Sequence, residues 1–387
     1  MYRILNVIGI FLILGIAFLV SKEKKSIKWK NISFALITQI VLALIMLKTP
    51  VWKVVQAFSN GVLWVIGQSA EGISFVFGGL TDNFVFFLNS LLPIVFISSL
   101  VGLAFHFGIL QKVIKLIGVV IAKTFKIDTI VAVNLVTNMF LGQTESLFIT
   151  KSYLPKAKNS VIFATLVAGM SSISVSVMGL YVGFGASIEW IIVSLPIVMF
   201  TSLMLCQIIM PTTYSEEEVE IENDRGANFI DTMMNYAMSG FQGVIGITVA
   251  LLVFLSLIAL INNLLGLFTT VTLQQVVGYI FMPFTYLMGI PKEEILTVSQ
   301  LLGTKIVTNE AVAFAMPSYL ELTERTKAIV TVALCSFAGL GSIGVFMGGY
   351  SAIAKDKTKI VAKYGVKALL VSTMGSILTA CIISLVM

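Results

Sequence analysis

Eight stretches of this chain stay apolar for about the length of one bilayer crossing, and that recurrence constrains the fold more than any motif does. They are residues 4–20, 32–47, 84–103, 160–182, 188–210, 244–268, 328–347 and 369–387. Of the 387 residues 58% are hydrophobic and 11% are charged, against roughly 25% charged in an ordinary soluble protein. So little charge cannot coat a water-facing surface of this size. A soluble enzyme, a DNA-binding protein and a disordered chain are therefore excluded, and the reading is an all-α polytopic protein of the cytoplasmic membrane.

The net charge of +6 does not point to nucleic acid, because the lysines sit in short loops between apolar runs, where they report orientation. Lys22, Lys24, Lys25, Lys28 and Lys30 follow the first run instead of preceding it, which argues against a cleaved signal peptide. A second basic loop, Lys355 to Lys367, precedes the last run. Both termini are then expected outside, which requires an even number of crossings. The acidic residues 216–224 read as a solvated outer loop. Residues 51–78, 108–125 and 228–239 are amphipathic and read either as interfacial helices or as stripes packed against other helices. Cys206, Cys335 and Cys381 form no paired framework and read as packing residues. The lone His106 reads as structural in preference to a proton relay.

Two segments break the apolar pattern. In residues 138–146, Asn-Met-Phe-Leu-Gly-Gln-Thr-Glu-Ser, Gly142 and a polar cluster interrupt an apolar run. In residues 295–320, Gly303-Thr-Lys305 and Thr308-Asn-Glu310 do the same. Each half is about 10 to 14 residues, the length of a re-entrant half-helix. The order of features repeats: Ser152-Tyr-Leu154 follows Glu145, Ser318-Tyr-Leu320 follows Glu310, and each is succeeded by a Gly/Ser-rich crossing, residues 169–179 and 336–344. Paired interrupted segments in two halves of one chain point to a transporter site at the midplane, within an inverted-repeat fold.

A carboxylate in the bilayer costs about 2.5–3.5 kcal/mol or more, so Glu145 and Glu310 each need a partner or a wet cavity. Lys305, five residues before Glu310, is one available partner, but it leaves Glu145 unexplained. The alternative is that both acids line one cavity and accept hydrogen bonds from a polar solute. The free carbonyls of broken helices, with Asn138 and Ser172, are hard oxygen ligands suited to a small cation. The chain contains no GxxxxGK[ST] loop, no HExxH and no Cys/His cluster, so it reads as something other than an ATPase, and no enzymatic activity is expected.

The quartet Gly142-Gln143-Thr144-Glu145, with Asn309-Glu310 and the later Ser336-Phe-Ala…Ser342-Ile-Gly344, resembles the concentrative nucleoside transporter family, in its bacterial NupC-like branch. The resemblance runs through nearly the whole chain. It implies eight crossings, an interfacial helix, two re-entrant hairpins, a homotrimer in the bilayer, and an elevator motion of a transport domain past a scaffold. It also implies that Gln143, Thr144 and Glu145 read the nucleobase and that Val177 packs against it. Glu310 and Ser342 would hold the ribose, and Phe337 would close the apolar side. Asn138 and Ser172, with the carbonyls of Val167 and Ile173, match the family's sodium site, though some relatives couple to protons, so Na+ and H+ both remain. Two positions depart from the pattern: Gly339 stands where typical members carry Asn, and Ala168 where a hydroxyl residue is expected.

The expected division is residues 1–82 (N-terminal helices and interfacial helix), 83–190 (gate-like region with the first hairpin) and 191–387 (transport region with the second). The expected function is cation-coupled uptake of nucleosides. The alternative is a gate-family membrane protein of the same hairpin architecture carrying another solute or ion.

Overall fold

The computed structural model describes residues 2–81, 83–215 and 226–387, with the backbone alone given for Thr144, Glu145 and Phe148. The acidic stretch 216–224 thus lies outside the described residues. The chain opens with α1 (Tyr2–Val20), α2 (Trp29–Lys48), α3 (Val51–Phe77), α4 (Pro93–His106) and α5 (Ile109–Phe125). A first interrupted unit follows: α6 (Thr129–Leu141), α7 (Gln143–Ile149), α8 (Asn159–Ser171) and α9 (Met178–Gly183). After α10 (Ile188–Ile209), α11 (Phe229–Leu265) and α12 (Leu273–Leu287), the order recurs. It does so as α13 (Ile295–Val307), α14 (Glu310–Ala315), α15 (Pro317–Leu320), α16 (Glu324–Leu334) and α17 (Leu340–Ile353), and α18 (Thr358–Val386) ends the chain.

Among the described residues eight helical segments are long and apolar enough to cross a membrane. They differ from the runs read off the sequence in two places. Residues 328–347 are not one helix: α16 stops at Leu334 and α17 starts at Leu340, because Ser336 and Gly339 interrupt the apolar run. Val51–Thr81 instead meets the length and composition of a span, although its polar face is what marked it as interfacial. Residues 228–239, read as a separate amphipathic piece, form the cap and first turns of α11, which is 37 residues long in all. At 1.5 Å per residue α11 is about 55 Å long, well beyond the ~30 Å hydrocarbon core. No proline falls within it, so nothing in the sequence ends the helix early.

Two groups of helices sort by what they touch. α4 and α11 pack chiefly on each other. Gly102 of α4 receives Tyr236, and Gly240 of α11 receives Ser98, at separations where an added Cβ would lie 2.7 Å and 2.6 Å from the neighbour. Such small-residue contacts let membrane helices approach closely. His106 fits this seam: its Nδ1 lies 2.9 Å from Thr232 Oγ1. The second group is built around α18, which packs on α8, α10, α16, α17 and α1. The three cysteines are buried and free.

Candidate functional site

The first hairpin turns at Gly142. Its φ of 93° lies in the region that favours glycine, so α6 can end at Leu141 and α7 begin at Gln143 without a connecting loop. Asn138, on the last turn of α6, is fully buried, with Nδ2 donating to Ala168 O at 3.0 Å, Gly169 O at 3.3 Å and Ser172 Oγ at 2.7 Å. Its Oδ1 is buried and has no partner. The chain beyond α8 is extended at Ser172 (φ −126°, ψ 171°), which frees the last carbonyls of that helix. The carbonyls of Ala168 and Gly169 and the Ser172 hydroxyl gather on Nδ2 while Oδ1 is left over, and an unpartnered buried amide oxygen beside a helix break is a hard donor of the kind a small cation takes. Val167 O already accepts from Ser171 Oγ (2.6 Å) and Ser372 Oγ (3.2 Å), so one of these hydroxyls must turn away before Val167 can serve as a ligand. Ile173 is fully buried in the break.

Gln143 stands at the hairpin tip with Oε1 buried and unpartnered. Thr144 and Glu145 follow on α7, but their side chains lie outside the described residues, and so does the separation of Glu145 from Glu310. Val177 is half-buried at the start of α9.

The second hairpin turns through Thr308 and Asn309. Asn309 caps α14, its Oδ1 accepting from Val312 N at 2.9 Å, which fixes Glu310 as the first helical residue. Glu310 is 7% exposed. Its Oε1 accepts from Tyr181 Oη at 2.9 Å, a bond from α9 in the first unit to α14 in the second. Tyr181 is held in turn by Phe314 (ring centroids 4.8 Å apart), and Phe314 by Tyr319 (5.2 Å). Lys305 does not bond to Glu310: its Nζ donates to Ala333 O, Ser336 Oγ and Ser376 Oγ. In the first turn of α17, Ser342 Oγ donates back to Phe337 O in the break before it at 2.5 Å, leaving its lone pairs to accept. Phe337 is half-buried beside it. Glu310 Oε1 is thus engaged by a tyrosine hydroxyl, and the α16–α17 break packs on the hairpin tip that carries it, where a Cβ on Gly339 would lie 3.4 Å from Asn309 Cα.

Tyr181 was not singled out from the sequence. It sits in an apolar stretch where a tyrosine reads as packing, and the available signal was only that a buried carboxylate needs a donor. Tyr181→Phe keeps the ring against Phe314 and removes that donor. A hydrogen bond to a charged group contributes about 1.5–3 kcal/mol, so KM for solute should rise about tenfold or more with Vmax little changed. Concentration-dependent uptake measures this, and an unchanged KM would argue against the positioning role.

Three family descriptions match along the chain: "Na+ dependent nucleoside transporter N-terminus" at residues 8–80, "Nucleoside recognition" at 87–188, and "Na+ dependent nucleoside transporter C-terminus" at 190–384. The purine nucleoside transport protein NupG of Bacillus subtilis is 31% identical over 396 residues, covering 100% of this chain and 99% of that one. The chain belongs to the concentrative nucleoside transporter family. Among solved structures, CNTnw in an inward-facing substrate-bound state is similar with a TM-score of 0.93 at 30% identity, covering 99% of this chain and 98% of that chain. A doubly substituted CNTnw in an outward-facing state matches with a TM-score of 0.94 at 30% identity, over 100% and 99% of the two chains. The concentrative nucleoside transporter fold thus accounts for the interrupted helices: they are the parts of a polytopic carrier that moves solute without transforming it.

Proposed function

We propose that this protein is a secondary active transporter that carries nucleosides across the membrane by alternating access of the elevator type, driven by a cation gradient. The observation that carries the solute assignment is Glu310: a buried carboxylate that accepts from one tyrosine hydroxyl and, among the described residues, bonds to no cationic side chain. An acceptor of that strength in an apolar site favours a solute with hydroxyls to donate, as a ribose has. In this reading Glu310 and Ser342 take the sugar, Phe337 covers its apolar side, and Gln143, Thr144, Glu145 and Val177 meet the base. The unpartnered Oε1 of Gln143 supports a base-reading role, since such a group gains most when a ligand satisfies it.

The coupling cation, Na+ or H+, sits in this reading among Asn138, Ser172, Ile173 and Val167. The orphaned Oδ1 of Asn138 supports it. The α4–α11 pair serves as the scaffold, and the body around α18 moves past it with both hairpins. Assembly of three copies within the lipid belongs to the same reading and rests on membership of the family; the exposed apolar face of α11, including Ile245, Leu252 and Leu255, is free to meet lipid or another copy. The division into residues 1–82, 83–190 and 191–387 follows chain order, and the scaffold pair draws α4 from the second part and α11 from the third. Competition tests the solute assignment: unlabelled nucleoside should displace labelled nucleoside and free ribose should not. Equal displacement by ribose would contradict the base-reading role of the first hairpin.

A further inference from the structure

The two interrupted units place different groups at the same point. Asn138 lies five residues before Gln143, the first residue of α7, and Lys305 lies five residues before Glu310, the first residue of α14. Each reaches the C-terminal end of the longer helix that follows its hairpin, α8 in the first unit and α16 in the second. Asn138 Nδ2 bonds the Ala168 and Gly169 carbonyls near the end of α8 and the hydroxyl of Ser172 just beyond it. Lys305 Nζ bonds Ala333 O near the end of α16 at 2.7 Å and the hydroxyl of Ser336 just beyond it at 2.6 Å. Both nests rest on α18, one turn apart: Ser372 Oγ donates to Val167 O in the first, and Ser376 Oγ lies 3.3 Å from Lys305 Nζ in the second.

Ser376 Oγ lies 3.1 Å from Ser372 O and 2.7 Å from Ser336 Oγ, a contact in which either hydroxyl can be the donor. Both hydroxyl oxygens keep lone pairs for the lysine, as does Ala333 O. Three acceptors face Nζ, which matches the three N–H donors of an ammonium. A positive charge at the C-terminal end of α16 also faces the negative end of that helix. Lys305 is 1% exposed, and its hydrogen bonds among the described residues go to none of the carboxylates.

We infer that the Lys305 ammonium is a tethered counterpart of the transported cation, filling the second unit's equivalent of the Asn138 nest so that one cation travels in each cycle. This rests on the cation-site reading given above. The neutral amide of Asn138 leaves its nest short of charge, for a mobile ion to supply, whereas Lys305 brings the charge with it.

The test is cation activation of nucleoside uptake in proteoliposomes by the full-length protein. Wild type should activate with a Hill coefficient of about one, and Lys305→Asn, which copies the first unit, should raise it toward about two with weaker half-saturation. Lys305→Met, which has no charge and no ligand, should lose uptake without recovery at high sodium. A Lys305→Asn protein that transports with the wild-type Hill coefficient and half-saturation would overturn the lysine assignment alone. If wild-type uptake ignored cation gradients, or Asn138→Leu left activation unchanged, the cation-site reading would fall and take this inference with it. Should Lys305→Asn not reach the membrane, the wild-type coupling ratio decides: one cation per nucleoside supports the assignment, and two overturn it.

Discussion

Glu310→Gln is expected to lower nucleoside uptake by about 100-fold or more, since two hydrogen bonds to a charged group at about 1.5 kcal/mol each sum to that factor. Membrane insertion should survive. Glutamine keeps the length and volume of the side chain, and its amide oxygen still accepts from Tyr181 Oη, so the contact between α9 and α14 persists. Removal of the charge also lowers the cost of burying the group, so the variant protein should be no less stable than wild type. Uptake into proteoliposomes, set against the amount of protein inserted, separates the two effects. Normal concentrative uptake by this variant would contradict the role given to the carboxylate.

The second large effect is at Gly339, and its direction runs against the resemblance to the family. Typical members carry Asn there, so Gly339→Asn looks like a restoration. The structure argues otherwise. A Cβ on residue 339 would stand 2.8 Å from Thr308 O, 3.1 Å from Lys305 O and 3.4 Å from Asn309 Cα. These are backbone atoms of the second hairpin tip, and they have no rotamer to turn away. Overpacking of this kind costs about 1–3 kcal/mol, and the strain falls on the two residues that set the position of Glu310. Gly339→Asn should therefore cut uptake by about tenfold or more. Gly341→Ser is the control: an added Cβ there meets nothing within 4 Å, and uptake should stay within about twofold. A Gly339→Asn protein that transports better than wild type would show that the tip can move aside at little cost.

The contrast between these glycines shows what the sequence could convey and what it could not. The apolar runs fixed most of the crossings, because lipid-facing helices leave a signal in composition alone. The hairpin tips were legible for local reasons: Gly142 supplies a backbone turn that other residues resist, and Asn309 is a helix cap. The interruption between α16 and α17 was noticed only as a Gly/Ser-rich stretch, since small residues serve close packing as readily as a break. Continuity of α11 was missed because its polar first turns resemble an interfacial helix. α12 was not singled out either, although Thr272 and Gln275 form a capping box.

The site shows the same limit. Glu310 and Asn138 stood out as polar residues in apolar surroundings. Ser172, which bonds to Asn138, stood out with it, but Tyr181 and Ser376 did not, because partnership joins residues far apart in the chain: Tyr181 and Glu310 are 129 positions apart, and Lys305 and Ser376 are 71 apart. Nor did the five-residue spacing that aligns Asn138 with Lys305 attract notice, because one is neutral and the other charged.

The central claim is that one buried carboxylate receives a nucleoside whose movement is driven by a cation. Uptake of a labelled nucleoside panel into proteoliposomes, with sodium and proton gradients imposed separately, tests it most directly. Accumulation of nucleoside above its external concentration under one of the two gradients, and equilibration without either, is the predicted result. Flux that follows the membrane potential with no nucleoside requirement, or nucleoside entry that stops at equilibrium under both gradients, would contradict it.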